Sequence, residues 1–205
     1  MEYNITATDM KAVVYKKYGS PDVLRLEELE KPTPKDDEVL VKIYAASINS
    51  WDWDMLRGNH WIIRLISGLF KPRHTILGAD IAGTVESSGS NVKNLKQGDE
   101  VFGDIAGCGF GGFAEYVCVP EKLLAKKSPS MTFVQAAAIP QAGLLALQGL
   151  RYKGTIQPGE HVLINGAGGG VGTLALQYAK SLEAEVTCVD SADKFDLLQS
   201  LGADH

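Results

Sequence analysis

Two parts of different fold class are predicted by this sequence: a β-rich part over residues 1–130, then an α/β part over residues 131–205. Three observations carry that prediction. Short apolar runs parted by turn residues fill the chain up to about Pro129, residues at helical apolar spacing follow, and a glycine-rich turn then joins an apolar run to a second helical pattern. With 205 residues, 45% hydrophobic and 22% charged, the chain is long enough for one large or two small cores.

The strands come in order. Lys11–Tyr15, Val23–Leu26, Val39–Ile43, Ile81–Val85, Glu100–Phe102 and Phe113–Val119 read as strands, separated by Gly19-Ser20-Pro21, the Lys31–Asp37 run with its two prolines, Ser87–Asn91 and Gln97-Gly98-Asp99. Spacing of this kind suits a partly closed β-barrel or a sandwich. One segment departs from it. Trp51–Gly68 carries Trp51, Trp53 and Trp61 with Leu56, Ile62, Ile63, Leu65 and Ile66, so one or two short helices are expected, their apolar face covering the barrel or a cleft. The same face is suited to line a pocket for a flat apolar substrate. Met131–Tyr152 reads as helices interrupted near Ile139-Pro140, where the proline ring removes a backbone donor.

The glycine turn is the richest signal. Val162-Leu163-Ile164-Asn165 is an apolar run without alternation, which suits a parallel strand covered on both faces, and Leu174, Ala175, Tyr178 and Leu182 beyond it fall at helical spacing. Between them glycines leave out the Cβ, so a pyrophosphate reaches the N–H groups at the helix start, where the dipole also favours negative charge. Gly166, Gly169, Gly170, Val171 and Gly172 are the candidate contacts, with the first position of the dinucleotide pattern falling on Ala167 or Gly166. A second strand, Ala184–Asp190, ends in an acid 18 residues beyond Gly172, about where a ribose-binding carboxylate is expected. The alternative for Asp190 is a turn, or a cap for a helix starting near Ser191 or Asp193.

Composition narrows the partners. A net charge of −5 and a pI near 5.4 argue against nucleic acid or an anionic membrane as the main partner. Met1–Met10 is polar, without a signal-peptide core, and the apolar region Trp61–Phe70 is interrupted by Arg64 and too short to span a bilayer, so a cytoplasmic setting is expected. Cys108, Cys118 and Cys188 are odd in number and contain no C-x-x-C, and His60, His74, His161 and His205 form no close pair. Neither a disulfide framework nor a zinc signature results, and no metal site is expected.

The order of parts now becomes specific. Ala46-Ser47-Ile48-Asn49, Ile76–Gly83, Gly98–Gly103, Gly112–Val117, Ala136–Pro140 and the Gly166–Gly172 turn together resemble the medium-chain dehydrogenase/reductase superfamily, in the zinc-independent branch typified by NADPH:quinone oxidoreductases. The resemblance runs over nearly all of Lys11–His205. It implies a GroES-like, partly closed β-barrel followed by a Rossmann dinucleotide-binding domain. Zinc-dependent members place a cysteine at Asn49 and Gly-His-Glu at Gly78-Ala79-Asp80, and asparagine and alanine do not replace thiolate and imidazole as ligands.

The implied reaction is hydride transfer from NADPH or NADH to a quinone or a similar conjugated carbonyl compound. Alternatives are an enoyl or alkenal double-bond reductase and, from another class, a nucleotide-binding or interaction protein without turnover. Asn49, Asp52 and Arg57 are candidates for steadying developing oxygen charge, against the structural readings of turn residue, helix cap and solvated helix-end cation. Asp54, Leu56 and Leu145 stand where members carry tyrosine, arginine and threonine. Asp190 suits the ribose hydroxyls of NADH, while Ser191 and Lys194 stand where relatives contact the 2′-phosphate of NADPH, so both cofactors stay open. Leu201–His205 leads, in the family, into a third Rossmann strand. The sequence therefore reads as an apparently truncated version of a longer enzyme, with the free edge of its first Rossmann strand and the outer edge of its second unpaired. Full-length members pair as homodimers through the region after that point.

Overall fold

The computed structural model describes residues 9–152 and 154–205. The polar opening read from the sequence lies, up to residue 8, outside the described residues. The chain divides into two compact units, Met1–Pro140 and Gln141–His205.

In the first unit, β1 (Asp9–Val14) pairs antiparallel with β2 (Arg25–Glu30). The second strand starts later than the apolar run suggests, because Pro21–Val23 folds into a single 3-10 turn, closed by Leu24 N–H on the Pro21 carbonyl. A five-stranded antiparallel sheet follows, built from β3 (Glu38–Ser47), β4 (Asp80–Ser88), β5 (Glu100–Asp104), β6 (Tyr116–Pro120) and β7 (Ala125–Lys126) in the order β6-β3-β4-β5-β7. Register shifts at Leu40/Val41 and Ile43/Ala45 bend β3 against β4. Single bridges, Ala12 to Ala114 and Val14 to Ile76, bring β1 against the segments flanking the sheet, which gives the partly closed form. The expected strand over Phe113–Val119 is shorter, since Phe113 and its neighbours bond instead to Val13 and Leu77. Val39, Val41, Ile81, Val85, Val101 and Ile105 fill the core.

The segment rich in tryptophan forms two helices, α1 (Ser50–Arg57) and α2 (Trp61–Ser67). Met55, Leu56 and Ile63 cover the barrel as expected, packing with Tyr15 and Leu77. Trp61, Ile62, Leu65 and Ile66 face solvent instead. Next, α3 (Phe133–Ala137) is held by a reciprocal cap between Thr132 and Gln135, and sets Ala136 and Ala137 on Ala82. The interruption expected near Ile139-Pro140 falls between α3 and α4 (Pro140–Arg151), and Pro140 opens α4, the position where a missing N–H costs nothing.

The second unit is one β-α-β motif extended by a helix: β8 (His161–Asn165), α5 (Gly170–Ser181), β9 (Glu185–Val189) and α6 (Phe195–Ser200). The strands are parallel, with His161 opposite Glu185 and Asn165 opposite Val189. Three sequence expectations are corrected here. The strand β8 is not covered on both faces: Ile164 is buried, Leu163 is 68% exposed, and the two-stranded sheet meets α5 on one side. The buried stripe of α5 is Gly172, Ala175, Leu176 and Ala179, with small residues letting the helix approach the strands closely; of the residues expected there Ala175 is buried, Leu174 packs half-buried against the same core, and Tyr178 is only half-buried. The outer edge of β9 is not bare, since Cys188 N–H donates to the His205 carbonyl at 2.7 Å and Asp204 N–H to that of Val186 at 3.0 Å.

Candidate functional site

Each unit contributes a polar centre, and both are built where a strand hands over to a helix. In the first unit, β3 ends at Ser47 and α1 begins after Asn49, whose extended backbone marks the helix start. Asn49 N–H donates to Asp52 Oδ2 at 2.9 Å, and Gly78 N–H donates to Asp52 Oδ1 at 2.9 Å. Asp52 is therefore the pin between the first turn of α1 and the loop entering β4. It is buried, and burial pushes its carboxyl pKa up, opposed by the backbone N–H groups it accepts.

The Asn49 amide Nδ2 reaches Asp80 Oδ2 at 3.2 Å and Ser47 Oγ at 3.4 Å. Asp80, at the start of β4, is 1% exposed, so these contacts draw Ser47, Asn49 and Asp80 into one cluster. Sequence reasoning named Asn49 and Asp52 but missed Ser47 and Asp80 as members. The available signal was a carboxylate set inside an otherwise apolar run, Ile76-Leu77-Gly78-Ala79-Asp80-Ile81-Ala82. Arg57 is not brought into the cluster. It is exposed at the other end of α1, about 12 Å along the axis from Asn49 at 1.5 Å per residue, with its guanidinium 5.1 Å from the Trp53 ring.

In the second unit, β8 runs into Gly166, whose N–H, with that of Ala167, bonds to the Val189 carbonyl of the neighbouring strand. The chain then turns through Gly168 and Gly169 into α5. A Cβ on Gly172 would stand 2.6 Å from Ala167 Cα and closer still to the Gly166 carbonyl oxygen, so only glycine lets helix and turn meet there. Outside that contact the turn is open. A Cβ on Gly166 would meet nothing within 4 Å, and one on Gly170 only Ala142 at 3.9 Å. The N–H groups of Gly170, Val171 and Gly172 have no acceptor among the described residues, as expected for the first turn of a helix. This cradle, with free donors, open space and the positive end of a helix, fits a diphosphate.

Asp190, Ser191 and Lys194 converge on the same turn. Asp190 Oδ2 accepts from Gly168 N–H at 2.7 Å, and Oδ1 accepts from Ser191 N–H at 2.7 Å. Lys194 Nζ lies 3.3 Å from Oδ1. Backbone donation from Ser191 and Gly168, with Lys194 beside it, lowers the Asp190 pKa to about 2. The turn role weighed for Asp190 is thus present, and the carboxylate also stands at the end of β9 beside the open glycines.

Among the described residues, no group of three His, Cys, Asp or Glu is placed to hold a metal ion, and no helix is long and apolar enough to cross a membrane. Cys108, Cys118 and Cys188 are unpaired. Burial raises all three thiol pKa values, Cys118 to about 11, which keeps them poor nucleophiles.

Residues 35–129 match the family model of the alcohol dehydrogenase GroES-like domain. The chain is 42% identical over 206 residues to the 2-methylene-furan-3-one reductase of Solanum lycopersicum, covering 96% of this chain and 51% of that protein. It is 39% identical to the chloroplastic NADPH-dependent alkenal/one oxidoreductase of Arabidopsis thaliana, covering 98% of this chain and 54% of that one. Among solved structures it is similar to the quinone oxidoreductase from Coxiella burnetii, with a TM-score of 0.85 and 34% identity over 96% of this chain and 61% of the other. The chain spans about half the length of these two curated relatives.

Proposed function

The chain belongs to the medium-chain dehydrogenase/reductase superfamily, among its quinone-oxidoreductase-like members, and from that premise we propose that it acts as an NAD(P)H-dependent reductase of quinones or similar conjugated carbonyl compounds, without zinc. The observation that carries the reading is the open glycine cradle at the start of α5, with Asp190, Ser191 and Lys194 at its side. Reduced nicotinamide, when bound, supplies the hydride. The N–H groups of Gly170, Val171 and Gly172 bind the diphosphate, while Asp190, Ser191 and Lys194 hold the adenosine ribose and its substituents. Asp190 favours NADH and Lys194 favours NADPH, so the proposal takes either nucleotide.

In the first unit, Asn49 turns one amide N–H from Ser47 Oγ, its longer contact at 3.4 Å, to the carbonyl oxygen of the acceptor while keeping Asp80, and Asp52 holds the start of α1 so that the amide stays in place. Arg57 is assigned no step. The residues do not fit zinc: Asn49 and Ala79 offer neither thiolate nor imidazole. A reducing compartment, the cytoplasm in this proposal, suits three free cysteines, and the homodimer implied for full-length relatives enters as the partner.

The test is nucleotide oxidation across a panel of quinones and enones, with products identified. Oxidation of NADPH or NADH with hydroquinone or semiquinone formation supports the reading, and Asn49→Ala then lowers kcat while nucleotide affinity stays within about twofold. Nucleotide binding without turnover across the whole panel would replace it with a binding or interaction role. Similarity to the methylene-furanone reductase and the alkenal/one oxidoreductase favours a second reading, reduction of the conjugated double bond. A saturated carbonyl as product assigns that one.

A further inference from the structure

The helix α2 buries only Ile63 and Ser67. Ser67 Oγ donates to the Ile63 carbonyl and meets Tyr18 Oη at 2.7 Å, and Arg64, itself exposed, donates from Nε to the Gly58 carbonyl at 2.7 Å. The other apolar groups of the helix face out. Trp61, Ile62, Leu65, Ile66, Leu69 and Phe70 are 52–90% exposed within ten residues of chain, a density of exposed large side chains that marks an interaction surface rather than ordinary surface scatter.

The charge around them is one-sided. Residues 55–79 contain Arg57, Arg64, Lys71 and Arg73 and not one Asp or Glu, in a chain whose net charge is −5. Lys71 and Arg73 border the same shallow cleft as Leu69 and Phe70, and neither cation has an ion pair among the described residues. An occupant must therefore take apolar side chains and supply negative charge beside them.

We propose that α2 and the Gly68–Arg73 loop form a docking face for an anionic lipid surface, with Trp61, Leu65, Ile66, Leu69 and Phe70 entering the acyl boundary and Lys71 and Arg73 meeting headgroup phosphates. An amphipathic helix lying in the interface, with an aromatic residue and cations at its edge, has this composition. A second copy of the chain placed symmetrically on the same face would set cation against cation, with no acid in the segment to pair them. The whole-chain charge that argues against anionic membranes is an average, and it hides a stretch of opposite sign. This inference is independent of the proposed reductase activity.

The test is density-gradient flotation of the chain with vesicles of phosphatidylcholine alone and of phosphatidylcholine with phosphatidylglycerol, read alongside tryptophan emission. Expected are flotation with the anionic vesicles, weakening as salt rises, and a blue shift that Trp61→Phe removes. Lys71→Gln with Arg73→Gln lowers the partition about fivefold per cation, on the order of 25-fold for the pair. Leu69→Ser with Phe70→Ser, both exposed and hence outside the core, abolishes flotation while circular dichroism is unchanged. No flotation of the unsubstituted chain overturns the proposal without any variant being needed. So does flotation that both double variants retain, or light scattering that shows Phe70→Ser turning a dimer into a monomer, which gives the face to a second copy.

Discussion

Asp52 and Asp190 use the same device in opposite surroundings. Each carboxylate accepts one backbone N–H on each oxygen: Asn49 and Gly78 for Asp52, Gly168 and Ser191 for Asp190. Their pKa values nonetheless move apart. Burial dominates at Asp52 and raises it, whereas at Asp190 hydrogen bonding dominates, Lys194 adds to it, and the value falls to about 2. The difference separates a buried pin from a half-buried corner beside the open glycine turn, where Lys194 adds to the hydrogen bonds that hold the carboxylate charged. It also explains why the same residue type, read as a site candidate at both positions, ends in two roles.

The largest effect expected from breaking this contrast is at the pin. Asp52→Ala leaves the buried N–H groups of Asn49 and Gly78 without acceptors and should cost about 2–4 kcal/mol, measured by urea denaturation of the chain. A loss under half a kilocalorie would mean that water replaces the carboxylate. At the corner, Gly172→Ala drives a Cβ into the Gly166–Ala167 backbone, an overpacking cost of about 1–3 kcal/mol. Nucleotide binding, followed by fluorescence titration, should fall with it, and unchanged affinity would remove the close approach of helix and turn from the account.

Acid titration sharpens the comparison further. The folded-state pKa of Asp190 lies below its ordinary 3.8, so the stability it adds is present above that value and is lost as the pH falls through about 2. Asp52 has the opposite sign: its raised value adds stability below 3.8 that is lost as the pH rises through the folded-state pKa. The difference in stability between the unsubstituted chain and Asp190→Asn should therefore shrink between pH 4 and 2, and a flat difference over that range contradicts the assigned hydrogen bonds. The smallest effect is at Lys194, which is partly exposed. Lys194→Ala should weaken NADPH about fivefold, the worth of roughly 1 kcal/mol for a solvent-screened pair, and leave NADH within about twofold. Equal losses for both nucleotides would place Lys194 with the turn rather than with the 2′-phosphate.

Much of this was legible in the sequence because the signals are local. The glycine turn needs Gly172 for a contact only six residues back, the Pro140 helix start follows from a missing N–H, and Asp190 stands at a fixed spacing beyond the turn. What was not legible depends on contacts between distant segments. The N–H of Gly78 that takes up Asp52 is 26 residues away, and Asp80 is 31 from Asn49. The coverage of β8 depends on how many helices and strands surround it, which an apolar run alone does not state.

The sequence by itself determined the order of parts, the β-α-β handover and its glycines, since these rest on backbone geometry and spacing within one short stretch. Only the tertiary structure decided that Asp52 is fully buried and Asp190 only half-buried, and that α2 turns Ile63 and Ser67 inward and Ile62 and Ile66 outward. Burial is a property of everything packed around a residue, and periodicity along one helix identifies its two faces without saying which of them meets the core.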